Sequence, residues 1–230
     1  MKQILIVFLL LPMTIWSQTS FEKAKILFEQ GKYALAEPLF ENYLKENPTN
    51  SKTIEYLGDI SGYEQKWNNA IYYYNKLKNT FPKNANYWFK FGGALGLKAK
   101  SINKFKAIGM IDDIENAFLT AAKLDSKHIE TRWALVIFYV ELPVIFGGSE
   151  TKSQKYANEL VSISKVDGYL AKGYIDVYFK RYQDAEKNYK KAREIGLSKT
   201  TFNKLYDLYL NKLKDKQKAQ KLKEEFDKKD

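Results

Sequence analysis

Cysteine is absent from the sequence, so neither disulfide bonds nor thiolate metal sites can form. The single histidine, His128, leaves most zinc sites and histidine-based catalytic triads without their ligands. Arginine is also scarce: the formal net charge of +11 comes almost wholly from lysine. Proteins that read nucleic acids usually rely on arginine for bidentate contacts, so a diffuse lysine excess predicts solubility rather than a nucleic-acid partner.

Glycine and proline are few, at 12 and 5 of 230 residues, and few segments read as linkers. This composition favours helices, and a chain of this length can bury a full core without covalent staples. It could hold one large domain or two small ones. We expect an all-α protein.

The first residues have the layout of a secretory signal peptide. A positive charge at Lys2 precedes an apolar run of about 13 residues, and no acidic residue occurs before Glu22. The run is shorter than the roughly 20 residues that a membrane span requires. We expect residues 1–17 to be removed before Gln18, with an uncleaved anchor as the alternative. The mature chain is then exported, most simply to the periplasm, with full secretion as the other destination and no stable membrane insertion.

Small residues and prolines recur at a fixed period in the remainder of the chain. Pro48 and Pro82 are 34 residues apart, and Ala36 and Ala70 each precede one of them by 12 residues. Alanine and glycine allow two helices to approach closely, and proline follows a helix that it cannot continue. An unrelated helical bundle would have no reason to space these residues evenly.

This spacing resembles the signature of tetratricopeptide repeat proteins, in which Trp, Leu-Gly, Tyr, Ala, Phe, Ala and Pro stand at fixed offsets. The resemblance implies hairpins of two helices stacked as a right-handed α-solenoid, which binds proteins or peptides in a concave groove. The repeats cover about 18–50, 51–84, 85–128, 129–167 and 168–199, followed by a C-terminal capping hairpin over 200–230.

Two irregular segments interrupt this pattern. Residues 97–110 carry lysines that alternate with apolar residues, and predict either an extended helix end or a basic amphipathic segment that touches an anionic surface. In residues 141–149, Pro143 should end a helix, Gly147 and Gly148 should form a sharp turn, and Ser149 should cap the next helix. The second segment resembles a Pro-x-x-x-Gly-Gly-Ser insertion of an exported bacterial subset of the family.

No group of residues predicts catalysis, a metal or a cofactor. His128 is expected at a solvent-facing junction between repeats. The paired acids Asp112-Asp113 and Glu224-Glu225 are sequence neighbours, so their side chains point apart along a helix. The glycine pair lacks the Lys-Ser/Thr of a phosphate-binding loop. We therefore expect a protein that is not an enzyme.

The resemblance also implies which residues line the groove, because the first helix of each repeat lines it in this family. The residues carried over to this sequence are Phe21, Glu55, Asp59, Tyr63, Phe89, Trp133, Ile137, Glu141, Tyr174 and Tyr178, with Glu29, Lys52, Asn86, Glu130 and Leu170 at further matching positions. Aromatic anchors and carboxylates together predict a partner with apolar and basic residues. The alternative is that Trp133 and Phe89 only pack between helices, and that the acids are solvated.

Three classes of function remain open. The first is a scaffold that binds a protein or peptide in its groove. The second is a structural or assembly subunit of a cell-envelope complex, which would use its other surfaces equally. The third, and the least favoured, is an enzyme or a polysaccharide-binding protein with aromatic platforms. The sequence does not indicate an oligomeric state.

Overall fold

The computed structural model describes residues 20–228, and within that range the chain forms thirteen α-helices and no β-strand. The prediction of an all-α solenoid is therefore confirmed. The predicted signal peptide, residues 1–17, lies outside the described residues. The helices are α1 (Ser20–Glu29), α2 (Tyr33–Glu46), α3 (Ser51–Tyr63), α4 (Trp67–Thr80), α5 (Ala85–Ser101), α6 (Lys104–Ile108), α7 (Ile111–Leu124), α8 (Ile129–Glu141), α9 (Glu150–Ile163), α10 (Lys165–Tyr178), α11 (Tyr182–Ile195), α12 (Lys199–Asp207) and α13 (Lys216–Asp227).

The helices pack as six successive hairpins, which pair α1 with α2, α3 with α4, α5 with α7, α8 with α9, α10 with α11 and α12 with α13. The second helix of a hairpin packs against the first helix of the next one, as α4 does against α5 and α9 against α10. In the central repeats the first helices also contact each other, because α8 touches both α5 and α10. The first helices therefore share one continuous face.

Glycines allow the two helices of a hairpin to approach closely. A Cβ atom on Gly58 of α3 would lie 2.6 Å from Cε1 of Tyr74 on α4. A Cβ atom on Gly92 of α5 would lie 3.0 Å from the ring of Phe118 on α7. The small residues that the repeat pattern predicted to be buried at such crossings are all buried, which confirms the register: Gly58, Ala70, Gly92, Ala121, Ala185 and Ala192.

Proline and asparagine separate the regular hairpins. Pro48 follows the end of α2 and Pro82 the end of α4. The Asn50 side chain then accepts a hydrogen bond of 2.9 Å from the backbone N–H of Thr53, and Asn84 accepts one from Asn86 in the same way. Each asparagine satisfies one of the free N–H groups at a helix start.

Both irregular segments lie between the two helices of a hairpin. In repeat 3, α5 continues to Ser101 and is followed by the short helix α6. In repeat 4, α8 ends at Glu141, a single 3₁₀ turn covers Val144–Phe146, and Gly147 has a φ of +97°. Ser149 then accepts a hydrogen bond of 3.2 Å from the backbone N–H of Lys152. The predicted helix break, glycine turn and serine cap are thus confirmed.

The expectation that His128 is a solvent-facing junction residue was wrong. Its Nδ1 accepts a hydrogen bond of 3.2 Å from the backbone N–H of Thr131 and so caps the start of α8. The ring lies 5.3 Å from that of Phe89, and only 13% of the side chain is exposed. Histidine is not among the usual capping residues, which explains why the sequence did not predict this role.

Arg132 ties repeat 3 to repeat 4. Its guanidinium is buried and donates to the backbone carbonyls of Ala122, Asp125 and His128, and also to the carboxylate of Glu159. The first two of those carbonyls belong to the end of α7 and the turn after it, where carbonyl groups lack partners within the helix. The charge of Arg132 also suits the negative end of a helix dipole.

Candidate partner-binding groove

Two acids of α3 and one lysine of α5 form a charged cluster on the face shared by the first helices. Glu55 and Asp59 are four residues apart and therefore lie on the same side of α3. Lys90 places its Nζ atom 2.9 Å from Oε1 of Glu55 and 2.6 Å from Oδ1 of Asp59. A single lysine of repeat 3 thus bridges two acids of repeat 2, and Lys52 of α3 supplies a second positive charge 3.6 Å from Glu55.

The cluster continues to Tyr74 on α4, whose hydroxyl donates a hydrogen bond of 2.6 Å to Asp59. Burial and the negative charge of Asp59 raise the pKa of Tyr74 well above its ordinary value. Burial alone would lower the pKa of Lys90, but the charge of Asp59 and the hydrogen bonds to Asp59 and Glu55 outweigh it, so that the pKa is raised. Tyr74 therefore stays neutral and Lys90 stays charged at neutral pH.

A pocket of about 300 Å³ opens beside this cluster, between α3 and α5. We call it the groove pocket. Its lining residues are Asp59, Gly62, Tyr63, Trp67, Ala70, Tyr74, Phe89, Lys90, Gly93, Ala94 and Leu97. Three of the residues predicted for the groove, Asp59, Tyr63 and Phe89, thus line one cavity. Its size suits one or two apolar side chains rather than a large ligand.

Tyr63 forms an exposed rim of the groove pocket. Its ring stacks on Tyr33 of repeat 1 at 4.8 Å between centroids and 6° between planes, and 62% of the residue remains exposed. An exposed aromatic ring that is stacked on one face offers a rigid contact surface at a low cost in conformational entropy.

A second cluster lies on the first helices of repeats 3 to 5. Glu141, at the end of α8, accepts hydrogen bonds from Lys100 of α5 at 2.6 Å and from the hydroxyl of Tyr174 on α10 at 2.7 Å. Burial raises the pKa of Glu141, but these two hydrogen bonds outweigh the effect and lower it overall. Two of the predicted groove residues, Glu141 and Tyr174, are therefore in direct contact.

Several of the predicted aromatic residues pack between helices. The ring centroid of Phe21 lies 5.7 Å from that of Phe40 on α2, and Phe89 packs against a core cluster that extends from α5 to α10. Trp133 is half-buried between two core clusters and donates a hydrogen bond of 3.0 Å to Asp167 of α10. For Phe21 and Trp133, the packing interpretation therefore fits the structure better, whereas Phe89 has one side in the core and one side in the groove pocket.

The remaining two predicted residues differ in exposure. Ile137 is half-buried on α8, whereas Tyr178 at the end of α10 is exposed beside Phe179. Neither lines the groove pocket.

Eight of the eleven residues that line the groove pocket were not predicted for the groove, among them Lys90 and Leu97. The repeat register gave groove positions at Asn86 and Phe89 in α5 but did not include Lys90, which is directly after Phe89. The signal that could have identified Lys90 is its position: it follows a groove residue directly, and it faces two acids of the preceding repeat. Of the acids predicted for the groove, Glu55, Asp59 and Glu141 are engaged within the protein, whereas the side chains of Glu29 and Glu130 are 61% and 66% exposed.

A larger and shallower depression of about 770 Å³ runs along α9. All of its lining side chains are polar: Glu150, Thr151, Gln154, Lys155, Asn158, Glu159 and Ser162. Two of them are already occupied, since Glu150 pairs with Arg181 and Glu159 with Arg132. It offers no apolar anchor site, and so the groove pocket is the better candidate despite its smaller volume.

Residues 20–228 contain no group of three or more histidine, aspartate or glutamate side chains placed to hold a metal ion. None of the helices in that part of the chain is both long and apolar enough to cross a membrane.

Comparison with known proteins gives no matching family model and no matching curated protein. Solved structures do match. A TPR protein of Thermus thermophilus aligns with a TM-score of 0.68 and 16% identity, covering 84% of this chain and 98% of its own. The type IV pilus biogenesis factor PilW aligns with a TM-score of 0.61 and 14% identity, covering 90% of each chain.

A third similar structure is YrrB, a TPR protein with an unusual peptide-binding site. It aligns with a TM-score of 0.53 and 12% identity, covering 79% of this chain and 87% of its own. At these identities the likeness concerns the fold. Together with the periodic small residues and the stacked hairpins, it shows that this chain has the fold of tetratricopeptide repeat proteins.

Proposed function

We propose that this protein is a non-enzymatic scaffold that binds a protein or peptide segment along the face of its first helices. The observation that carries the proposal is the groove pocket, which is open and lined mainly by apolar side chains beside an exposed tyrosine. The fold neighbours support a role in protein interaction, since one of them is named for its peptide-binding site.

The pocket favours a partner with an apolar anchor side chain. Leu97, Phe89 and Trp67 provide apolar walls, and Tyr63 supplies a flat aromatic rim. Because Lys90 pairs with both Glu55 and Asp59, and Lys52 lies 3.6 Å from Glu55, the acids of this region offer little net charge to a basic partner. We therefore retain the apolar anchor in the proposal and expect charge to contribute less to the choice of partner than the sequence suggested.

A role as an assembly subunit of a cell-envelope complex is the second candidate. It is supported by the similarity to a pilus biogenesis factor over 90% of both chains. Such a role would use the same fold with contacts distributed over several surfaces, so that no single groove substitution would abolish binding.

Export to the periplasm forms part of the proposal and rests on the layout of residues 1–17. Fractionation of bacterial cells followed by amino-terminal sequencing tests it. We expect a product that begins at Gln18 and is recovered without detergent, whereas a membrane-bound product that begins at Met1 would contradict export with cleavage.

Selection of binders from a displayed peptide library, followed by affinity measurement, tests the groove. Two tyrosines form a matched pair of sites: Tyr63 lines the groove pocket, whereas Tyr72 of α4 does not, and the two are 62% and 63% exposed. We expect Y63A to weaken binding of the selected peptides by about tenfold, since truncation of an aromatic anchor costs more than about 1 kcal/mol. Y72A should bind normally. Equal binding by both variants would argue against the groove and favour the second candidate.

A further inference from the structure

The two insertions and the next hairpin turn place exposed apolar side chains along one edge of the solenoid. Phe105, Val144 and Ile145 are 85%, 83% and 84% exposed, more than any other large hydrophobic residue of the described chain. Ile108, Tyr178 and Phe179 are also exposed in the same three turns. We call these six residues the apolar edge.

The three turns are neighbours in space. The ends of α5 and α8, from which the two insertions leave, are joined by the contact between Lys100 and Glu141. Glu141 also bonds Tyr174, one helical turn before Tyr178 on α10. The corresponding turns of the first two hairpins, Gly31-Lys32 and Glu64-Gln65-Lys66, are polar, and the exposed Tyr63 before the second of them stacks on Tyr33. The most exposed apolar side chains of these turns therefore belong to repeats 3 and 4.

Basic residues outnumber acidic ones around the apolar edge, where the nearest acids are Asp112 and Asp113 after the first insertion and Glu141 and Glu150 on either side of the second. Segments 97–110, 142–149 and 178–182 contain six basic residues and no acidic residue. Lys100 and Arg181 are bonded to acids of neighbouring helices. The other four, Lys98, Lys104, Lys106 and Lys180, form no ion pair with any described residue of the chain. Their charge is available to an external anionic surface.

We propose that the apolar edge docks on an anionic phospholipid surface, with Phe105, Val144 and Ile145 reaching into the interface and the lysines facing the headgroups. Side chains that project singly from three successive turns form neither a flat face nor a groove, so a protein partner would cover them poorly. A lipid interface accommodates isolated apolar tips, and flanking lysines bind its anionic headgroups. The contact is peripheral, and it leaves the groove pocket of the proposed function free.

The absence of cysteine gives a direct test, because a single introduced cysteine can be labelled uniquely. The full chain would carry an environment-sensitive fluorophore on F105C, and Y72C would serve as the control on another surface. We expect phosphatidylglycerol-containing vesicles to shift the emission of the label at position 105 to shorter wavelength, with quenching by nitroxide lipids. The label at position 72 should not respond. Because the N-terminal apolar segment is common to both variants, attachment through it would not distinguish them in this way.

Two further variants test the components of the docking surface. In the labelled chain, K104E/K106E and V144S/I145S should each raise the lipid concentration needed for half of the response by about tenfold or more. Equal responses at positions 105 and 72, or an equal response to neutral phosphatidylcholine vesicles, would overturn the proposal. If the emission of the label at position 105 shifts with protein concentration in the absence of vesicles, a second copy of the chain covers the edge. That result would also overturn the proposal.

Discussion

Lys90 of repeat 3 lies 2.6 Å from Asp59 of repeat 2, so the floor of the groove is an ion pair between adjacent hairpins. Both side chains are largely buried, and the same lysine also reaches Glu55 at 2.9 Å. The contact therefore stabilises the stacking of the two repeats, and it also sets the charge that a bound partner encounters.

Replacement of Lys90 by methionine should lower the free energy of unfolding by about 1–3 kcal/mol at neutral pH, because Asp59 loses its cation and Glu55 keeps only Lys52, at 3.6 Å. Denaturant titration of K90M measures this change. Adding E55Q and D59N should recover part of the loss, since both side chains are then neutral. An unchanged denaturation midpoint for K90M would show that the ion pair contributes nothing to stacking.

The ion pair between Lys90 and Asp59 also predicts how the free energy of unfolding changes with pH. The pKa of Lys90 is raised in the folded protein, so its contribution to stability is complete below the ordinary lysine value of 10.5 and is lost as pH rises through the folded-state value. The difference in free energy of unfolding between wild type and K90M should therefore shrink at strongly alkaline pH. Tyrosines outside the cluster titrate in both proteins and cancel in this difference, while the pKa of Tyr74, which bonds Asp59, is raised well above its ordinary value. A gap that stays constant would contradict the assignment.

Close packing at the helix crossings predicts opposite effects for two glycines. Gly58→Ala should destabilise the protein by about 1–3 kcal/mol, because the new methyl group overlaps the Tyr74 ring. Gly96→Ala, on a helix position where an added Cβ meets nothing within 4 Å, should stabilise it by about 0.5–1 kcal/mol. Ala70→Leu and Ala185→Leu should be destabilising for the same reason as Gly58→Ala. Thermal and denaturant unfolding of the variants, compared with wild type, measures these effects.

The sequence predicted the hairpins because their signals are local and periodic. Gly58, Ala70 and Gly92 mark helix crossings, while Pro48 and Pro82 mark helix ends, and all five are at the predicted places in the structure. Their roles depend on size or on backbone restriction, and both are properties of the residue itself. The roles of His128 and Arg132 could not be read in this way, because they depend on which carbonyl and N–H groups the fold brings near them.

Arg132 is the strongest single test of the junction between repeats 3 and 4. Arg132→Ala should lower the free energy of unfolding by about 2–4 kcal/mol, since the carbonyls of Ala122 and Asp125 and the carboxylate of Glu159 would lose a charged donor. Lys123→Ala, on an exposed position of α7, is the control and should change stability by less than about 0.5 kcal/mol. Equal stabilities for the two variants would show that water replaces the guanidinium at no cost.

The groove was only partly predictable. The register identified Asp59, Tyr63 and Phe89, which do line one pocket, because the face of a helix follows from its period. It could not show that Lys90 pairs with the acids, or that Phe21 and Trp133 are occupied by contacts with neighbouring helices. Those outcomes depend on distances between helices, which the sequence pattern of one helix does not contain.

Photo-crosslinking from the groove tests the central proposal most directly. A benzoylphenylalanine at position 97, on the wall of the groove pocket, would be compared with one at position 72, outside it, using a peptide selected on the wild-type protein. We expect the selected peptide to crosslink to position 97 through its apolar anchor residue, and not to position 72, with unlabelled peptide competing for the reaction. Crosslinking at position 72 without crosslinking at position 97 would show that partners bind elsewhere on the solenoid.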